Sequence, residues 1–492
     1  MNPFDENTQA IVNQTAQVME GLGITSYLVG GSVRDAMLGK TTRDVDIVVC
    51  GSANRVGDTL AESLDGHKIR IDFERDAARV IAGNQDHAVV IDLLSLAGAG
   101  ILPDLRRRDF TINAIATPLE SAVLGTWNLI DPLGGAQDMD SKTIRAVSGK
   151  VFTEDPVRLL RAVRLSAETG FAIEPETESL IRGFAPRLTD SSPERIRSEL
   201  LRILAARGAA KWVRLMDSLG LLSIVIPELD LSRDVSQPRE HYYDVFGHLM
   251  AALDYADQIV SNRYERDFVR EMMPTFDRMD AYFGQGAADG HTRGTFLKLT
   301  ALLHDIAKPQ TKTVEPSGRV RFFGHSEMGE EIAGEVLARL RVGRRGIGMV
   351  RSMVRHHLRP RQMGNKGELP TNRAIHRYYR DLGDVALDTL YLNMADFLAA
   401  RGPLITPAEM CNQVRVINHI LTVGPQNQTV VASRRGLLTG HDIMSELQIG
   451  PGPLIGRLLK SVAEAEARGR IRNREEALKL ARANIETGAV GG

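Results

Sequence analysis

Two nearby segments decide the reading of the N-terminal part of this chain: Leu28-Val29-Gly30-Gly31-Ser32-Val33-Arg34-Asp35, and then Arg43-Asp44-Val45-Asp46-Ile47-Val48-Val49. The first reads as a strand that runs into a glycine pair and then a helix, with Ser32 placed to cap it. Glycine lets the backbone approach a phosphate closely, and the free N–H groups at a helix start favour anions. Arg34 adds a charged donor. In the second segment side chains alternate between faces, so Asp44 and Asp46 point one way while Val45, Ile47 and Val49 point into a core. Unpaired, these carboxylates repel; together they form a hard oxygen site suited to Mg²⁺ with a nucleotide triphosphate completing the shell. That arrangement serves phosphoryl or nucleotidyl transfer. Asp92, closing Val89-Val90-Ile91, reads either as a third carboxylate or as a strand-end cap.

The rest of the chain sets the scale. Its 492 residues, 43% of them hydrophobic, correspond to about three domains and exclude disorder for most of the length. Lys plus Arg number 61 against 62 Asp plus Glu, a net charge of −1, so nothing draws polyanions to the molecule globally and nucleic-acid binding requires a local basic surface. Asp5 and Glu6 stand where a secretory signal carries basic residues, and no apolar run approaches the roughly 18 residues of a spanning helix. A cytoplasmic protein with no membrane partner is expected. Cys50 and Cys411 lie far apart in sequence, fit a reducing compartment and read as core packing.

From Ile24 to Ala116 short β-rich runs alternate with turns and short helices. After Phe152 the apolar period becomes helical, through Leu159, Leu160 and Val163 and then Leu200, Ile203 and Leu204, and strand signals almost vanish. The polar stretch Asp230–Pro238 marks a boundary before a histidine-containing block that begins at His241. Phe283–Gly294 reads as a loop, Pro425–Ser433 as a break, and the tail after Gly436 as helical and mildly basic. The expected organisation is therefore a head over 1–150, a helical neck over 151–235, a third helical unit over 236–425 and a tail over 426–492. No internal repeat or low-complexity tract is present.

Taken together, Gly30 to Ile47 resembles the active-site motif of the bacterial tRNA nucleotidyltransferase and poly(A) polymerase group, a branch of the polymerase-β-like superfamily. Asp104 to Ala114 resembles that family's second motif, which holds ribose and triphosphate, and Asp131-Pro132-Leu133-Gly134-Gly135 matches a further signature. Glu154 to Arg164 resembles the motif that reads the incoming base, and Ser192 to Leu200 a supporting helix. The resemblance implies an α+β head followed by a mostly all-α body, CTP and ATP as substrates, the tRNA 3′ end as partner, and Mg²⁺ on Asp44 and Asp46. It also implies nucleotide contacts from Gly30, Gly31, Arg34, Asp35, Arg107, Arg108, Asp109, Asn113, Asp155, Arg158, Arg161 and Arg164.

The chemistry of these residues fits. Asp155-Pro156 reads as a helix N-cap followed by proline at the first helical position, with Arg158, Arg161 and Arg164 at spacings of three. Cytosine and adenine present an amine that donates beside a ring nitrogen that accepts, and uracil and guanine reverse both roles. Asp155 supplies only acceptors and Arg158 only donors, so the pair can select C and A. The blander reading is a cap with solvent-facing arginines. Arg161 and Arg164 contact phosphates or stiffen this template. Asp109 and Asn113 can hold ribose hydroxyls, while Arg107 and Arg108 engage triphosphate or ribose, or anchor Asp109. Phe73 to Val80 resembles the mixed-charge flexible loop of enzymes that switch from C to A, which implies full CCA addition. Enzymes adding only CC, only the final A, or poly(A) share the same motifs.

A second constellation comprises His248, the pair His304-Asp305, His325, His356 or His357, and Asp396. It resembles the HD phosphohydrolase superfamily. The ligand set so implied is His248, His304, Asp305, His325, His356 and Asp396, holding a divalent transition metal such as Mn, Fe, Ni, Co or Zn. Hydrolysis and a structural or RNA-facing role both stay open, and two readings of another class follow. One is an HD metal-dependent phosphohydrolase with a binding head, the other a non-catalytic RNA-binding protein.

Overall fold

The computed structural model describes residues 3–72, 76–83, 88–96, 98, 100–364, 368–424, 438, 440–447, 449, 452–467, 471 and 473–486. Among these the head is a mixed six-stranded sheet. Its elements run α1 (Glu6–Gly21), β1 (Ser26–Val29), α2 (Gly30–Met37), β2 (Asp44–Val49), α3 (Ala53–Ser63), β3 (His67–Asp72), β4 (Ala77–Ala82), β5 (Val89–Ser95), α4 (Ile101–Leu105) and β6 (Ala116–Pro118). The strand order is β3-β4-β5-β2-β1-β6; β2 and β5 are parallel and the other pairs antiparallel. Val45, Ile47 and Val49 of β2 are buried with Ile91 and Leu93 of β5 and Leu60 of α3. Each such side chain contributes about 2 kcal/mol of apolar burial. On the other face Val48 and Val29 pack with Ile101 and Leu105 of α4, leaving the Asp44 end of β2 uncovered.

Several local expectations change. Helix α2 starts at Gly30 itself, with Val29 as a cap residue that makes no side-chain bond. Ser32 does not cap it: its Oγ donates to Asp44 O at 3.1 Å and accepts from Asp46 N at 2.7 Å, tying the helix to β2. Asp92 lies in mid-strand, so it is no strand-end cap. In the Phe73–Val80 stretch, residues 73–75 lie outside the described set, and Ala77 onward is strand β4 rather than loop. Cys50 and Cys411 are both exposed, so neither packs a core.

Beyond the head the chain is helical, as expected, yet short strands recur. Thr143–Ile144, at the end of the head, pairs in parallel with Ala172–Ile173, and Lys312–Val314 pairs with Val320–Phe322. Phe283–Gly294 is not a plain loop: Gly286–Ala288 and His291–Thr292 form a hairpin, and a helix begins at Arg293 where Thr292 caps it. The described chain forms two bodies, Met1–Ile420 and Leu421–Gly492. In the second, the helices Gly440–Leu447, Pro453–Ala467 and Arg474–Glu486 gather around Ile443, Leu458, Val462, Ala477 and Ala481. Residues 425–433, read as a break, lie outside the described set.

Candidate functional site

Strand β2 carries Asp44, exposed, and Asp46, partly buried, on one face. The parallel register sets Asp46 beside Asp92 of β5, and Asp92 in turn faces Arg79 of β4. Arg79 holds both Asp92 oxygens, at 2.7 and 2.8 Å, while among the described residues the Asp46 carboxylate accepts only from backbone, Gly31 N at 3.1 Å. Burial, then the neighbouring Asp92 and Asp44 carboxylates, raise the Asp46 pKa despite Arg108 and Arg34 nearby. A crowded, desolvated carboxylate with its partners on one row is a donor set that calls for a cation.

The glycine pair forms the wall of this site. Gly30 has φ +64°, and a β-carbon there would stand 3.1 Å from Arg108 Nη1 and 3.4 Å from Asp46 Oδ2. One at Gly31 would stand 3.0 Å from Asp46 Oδ2. The bare backbone therefore leaves a cradle between an arginine and a carboxylate. Arg108 is held by Asp104 at 3.0 Å, and Arg107 is exposed on the same turn. Neither anchors Asp109, which is held from elsewhere.

Arg34 donates to Asp35 Oδ1 at 2.8 and 3.0 Å and to Asn113 Oδ1 at 2.8 Å. Asn113 donates to Asp109 Oδ1 at 3.0 Å, and Arg161 donates to Asp109 Oδ2 at 3.0 Å. Arg161 also meets Glu199 at 3.3 Å, and Arg164 joins Glu199 at 2.6 Å and Glu168 at 2.8 Å. Six side chains expected at a nucleotide site, Arg34, Asp35, Asn113, Asp109, Arg161 and Arg164, thus form one bonded array with Glu199 and Glu168 from α2 to the helix Arg158–Thr169. Asp109 is buried, which alone would raise its pKa; Arg161 and Asn113 bring it down to about 2. Arg164 is buried and shared between two carboxylates. Its guanidinium is therefore held by Glu199 and Glu168.

Asp155 is not a helix N-cap. It ends the helix Lys150–Glu154, and Val157 precedes the helix Arg158–Thr169 without a side-chain bond. Both carboxylate oxygens accept instead from Arg195 on the helix Pro193–Ala205, Oδ1 at 2.8 Å and Oδ2 at 2.7 Å. Arg158 Nη1 donates to Val151 O at 3.3 Å; its Nε stands 3.8 Å from Asp155 Oδ2 and is buried without a hydrogen-bond partner. The acceptor-only and donor-only groups are thus adjacent, with an unused donor between them.

The second constellation assembles at the meeting of several helices. His248 comes from the helix Val245–Ser261, His304 and Asp305 follow Arg293–Leu303, His325 opens His325–Arg339, and Asp396 lies in Ala386–Arg401. His248 Nε2 is 3.2 Å from Asp305 Oδ2 and 3.1 Å from Asp396 Oδ1; His304 Nε2 is 3.2 Å from Asp305 Oδ2. On the other Asp305 oxygen, His325 Nε2 stands at 3.4 Å and His357 Nε2 at 3.6 Å. The buried histidine is His357, and the expected ligand His356 is corrected: successive helical positions point about 100° apart, and His356 is half-buried outside the cluster.

Tautomers support metal binding. His304, His325 and His357 each place Nδ1 against the carbonyl three residues earlier, at 2.9, 2.6 and 2.7 Å. A carbonyl only accepts, so each Nδ1 carries the proton and each Nε2 lone pair faces the cluster. Neither Asp305 oxygen, nor His325 Nε2, nor His357 Nε2 has a hydrogen bond, although Lys308 Nζ approaches Asp305 Oδ2 at 2.5 Å. Buried polar atoms without partners are costly unless an ion supplies them. Two groups of donors result, His248, His304, Asp305 and Asp396, and Asp305, His325 and His357.

Sequence reasoning missed Arg195, Glu199, Arg79 and the Asn393 amide that donates to His357 O at 2.8 Å. Arg195 and Glu199 stood inside a quoted motif, but nothing local tells which acid an arginine on another helix will meet.

Known proteins agree with this layout. Family profiles match over 26–145 for the poly A polymerase head domain, 170–232 for the probable RNA and SrmB-binding site of polymerase A, and 283–396 for the HD domain. The A-adding tRNA nucleotidyltransferase of Deinococcus radiodurans is 31% identical over 457 residues, covering 92% of this chain and 93% of that protein. The CC-adding tRNA nucleotidyltransferase of Thermus thermophilus is 29% identical over 460 residues, 92% of each chain. The Thermotoga maritima CCA-adding enzyme complexed with tRNA shares the fold at a TM-score of 0.54 and 22% identity, covering 98% of this chain and 96% of that one. A head with paired carboxylates, a helix carrying Arg158, Arg161 and Arg164 and a histidine–aspartate module in this order, together with a relative 31% identical over nine tenths of both chains, places the chain in the tRNA nucleotidyltransferase and poly(A) polymerase family.

Proposed function

We propose that this protein extends the 3′ end of tRNA with C or A from CTP or ATP, releasing pyrophosphate. The observation that carries the reading is the adjacency of Asp155, an acceptor-only group, to Arg158, whose buried Nε lacks a partner. That pair is complementary to the amine and ring nitrogen shared by cytosine and adenine. Residues 1–150 form the catalytic head, 151–235 the base-reading neck, 236–425 the metal-binding HD unit and 426–492 a tail available for tRNA.

The chain's own groups divide the work. The Gly30–Gly31 backbone admits the triphosphate beside Arg108, and Arg34, held by Asp35 and Asn113, lines the same wall. Asn113 and Asp109 face the ribose end of the array. Asp44 and Asp46 would hold Mg²⁺, which when bound lowers the pKa of a 3′-hydroxyl and offsets triphosphate charge. Attack by that hydroxyl at the α-phosphorus expels pyrophosphate, so no covalent enzyme intermediate is required.

Completion of the whole CCA is the fuller form of this reading. Two relatives that align over nine tenths of the chain at 31% and 29% identity are named for A addition and for CC addition, which favours a second form in which this chain performs one part. Extension of tRNAs ending before CCA, after C and after CC, each with CTP, ATP or both, separates them. Extension to CCA supports the fuller form, arrest after CC or action only on the CC end supports divided work, and long A tails indicate poly(A) synthesis. No extension of any tRNA would overturn the proposal. The HD unit is proposed to bind divalent transition metal through His248, His304, Asp305, His325, His357 and Asp396; phosphoester hydrolysis there is tested by adding metal to the full chain.

A further inference from the structure

The base-reading carboxylate has an unusual setting. Asp155 is buried, and among the described residues the group that hydrogen-bonds its side chain is Arg195, a bidentate fork from a separate helix. Arg195 itself is 48% exposed, so it reaches inward from the surface without filling the core. The other charges around Asp155 make no hydrogen bond to its side chain among the described residues. Glu154 precedes it in the chain, Arg158 turns its Nη1 to Val151 O, and Arg161 is shared between Asp109 and Glu199.

Selection of C and A over U and G depends on the state of this carboxyl. Ionised, it only accepts, and matches an exocyclic amine. Protonated, it carries a donor O–H beside an acceptor C=O, the complement of the O4 and N3–H edge of uracil and of the O6 and N1–H edge of guanine. The same side chain would then read the wrong pair of bases. Burial pushes Asp155 toward the protonated form, and a bidentate guanidinium opposes it.

We infer that Arg195 is a positioning residue for specificity: it keeps Asp155 an acceptor and so enforces refusal of UTP and GTP. This rests on the reading of Asp155 and Arg158 as the base-selecting pair. Each fork N–H engages one lone pair per oxygen, which leaves the other lone pairs for the base. Consistent with this role, Asp155 sits below the ordinary aspartate range: burial raises it, and the Arg195 hydrogen bonds and charge, with Arg158 and Arg161 behind, lower it by more.

The test is single-turnover extension by the full chain, on tRNA lacking CCA and on tRNA ending in CC, with each NTP alone between pH 6 and pH 8.5. Wild type should refuse UTP and GTP throughout. R195Q should still fold, with a lowered melting temperature, and admit both, with their use relative to CTP and ATP rising about tenfold for each unit fall in pH while Asp155 remains mostly ionised. D155N, which presents a donor and an acceptor at every pH, should admit UTP without that slope. R195Q that discriminates like wild type while D155N does not would overturn the role of Arg195 and leave the base-reading pair intact. D155N that also discriminates would overturn the pair itself. Should R195Q lose its fold, R195K decides: a leak at the acid end supports the fork, and wild-type refusal at every pH overturns it.

Discussion

Arg161 joins the head to the neck: its Nη1 donates to Asp109 Oδ2 at 3.0 Å while its Nε meets Glu199 at 3.3 Å. Asp109 is buried, so removing Arg161 strands a charge. Arg161→Ala should cost about 3 kcal/mol or more of stability, seen as a lower denaturant midpoint. The pair also fixes an acid limit. The folded pKa of Asp109, about 2, is depressed from an unfolded value near 4, so its contribution is present above pH ~4 and lost as pH falls toward 2. That contribution is about 2 kcal/mol, and Arg161→Ala should flatten this part of the stability–pH curve.

Asp46 behaves in the opposite sense. Burial and the flanking carboxylates raise its pKa, so its ionised form weighs against the fold, and stability falls as pH rises through its titration. Asp46→Asn should therefore raise the melting temperature in chelator at neutral pH while reducing nucleotide addition by about a thousandfold or more. An unchanged rate would remove Asp46 from the reaction.

Gly30 needs its positive φ and its missing β-carbon, with Arg108 Nη1 only 3.1 Å from where that carbon would stand. Gly30→Ala should lose about 1 kcal/mol of stability, and KM for the nucleotide should rise more than kcat falls. Steady-state kinetics on a CC-ending tRNA and on one lacking CCA would show the split.

The HD cluster discriminates between neighbouring histidines. After loading with Mn²⁺ and desalting, His357→Ala should lose metal relative to wild type by elemental analysis, whereas His356→Ala should retain it. Equal loss from both would remove the distinction drawn from their placement.

How far this was legible varies with the distance over which each signal acts. The alternation of Asp44 and Asp46 with Val45 and Ile47 is a property of one strand, and it sufficed to place both acids on one face. The choice of His357 was also readable: it follows Met353 by four and Val354 by three, continuing the buried helical stripe. The capping reading of Asp155 failed for the opposite reason. A local Asp-Pro pattern predicts a cap, but a guanidinium forty residues on, brought in by packing of another helix, offers the carboxylate a stronger, charged partner. The strand pairs in the helical body were missed because two- or three-residue strands carry too few side chains for any period to show.

One of those small pairings limits how relatives can exchange parts. Thr143–Ile144 and Ala172–Ile173 lie on opposite sides of residue 150 and bond to each other in parallel. A chimaera joined at 150 would combine strand edges from two parents whose registers were never selected together, and it would separate Asp109 from its own Arg161. A crossover placed after Ala205 carries both strands and the whole ion-pair array from one parent. Inherited variation in base choice should therefore travel as a block spanning head and neck.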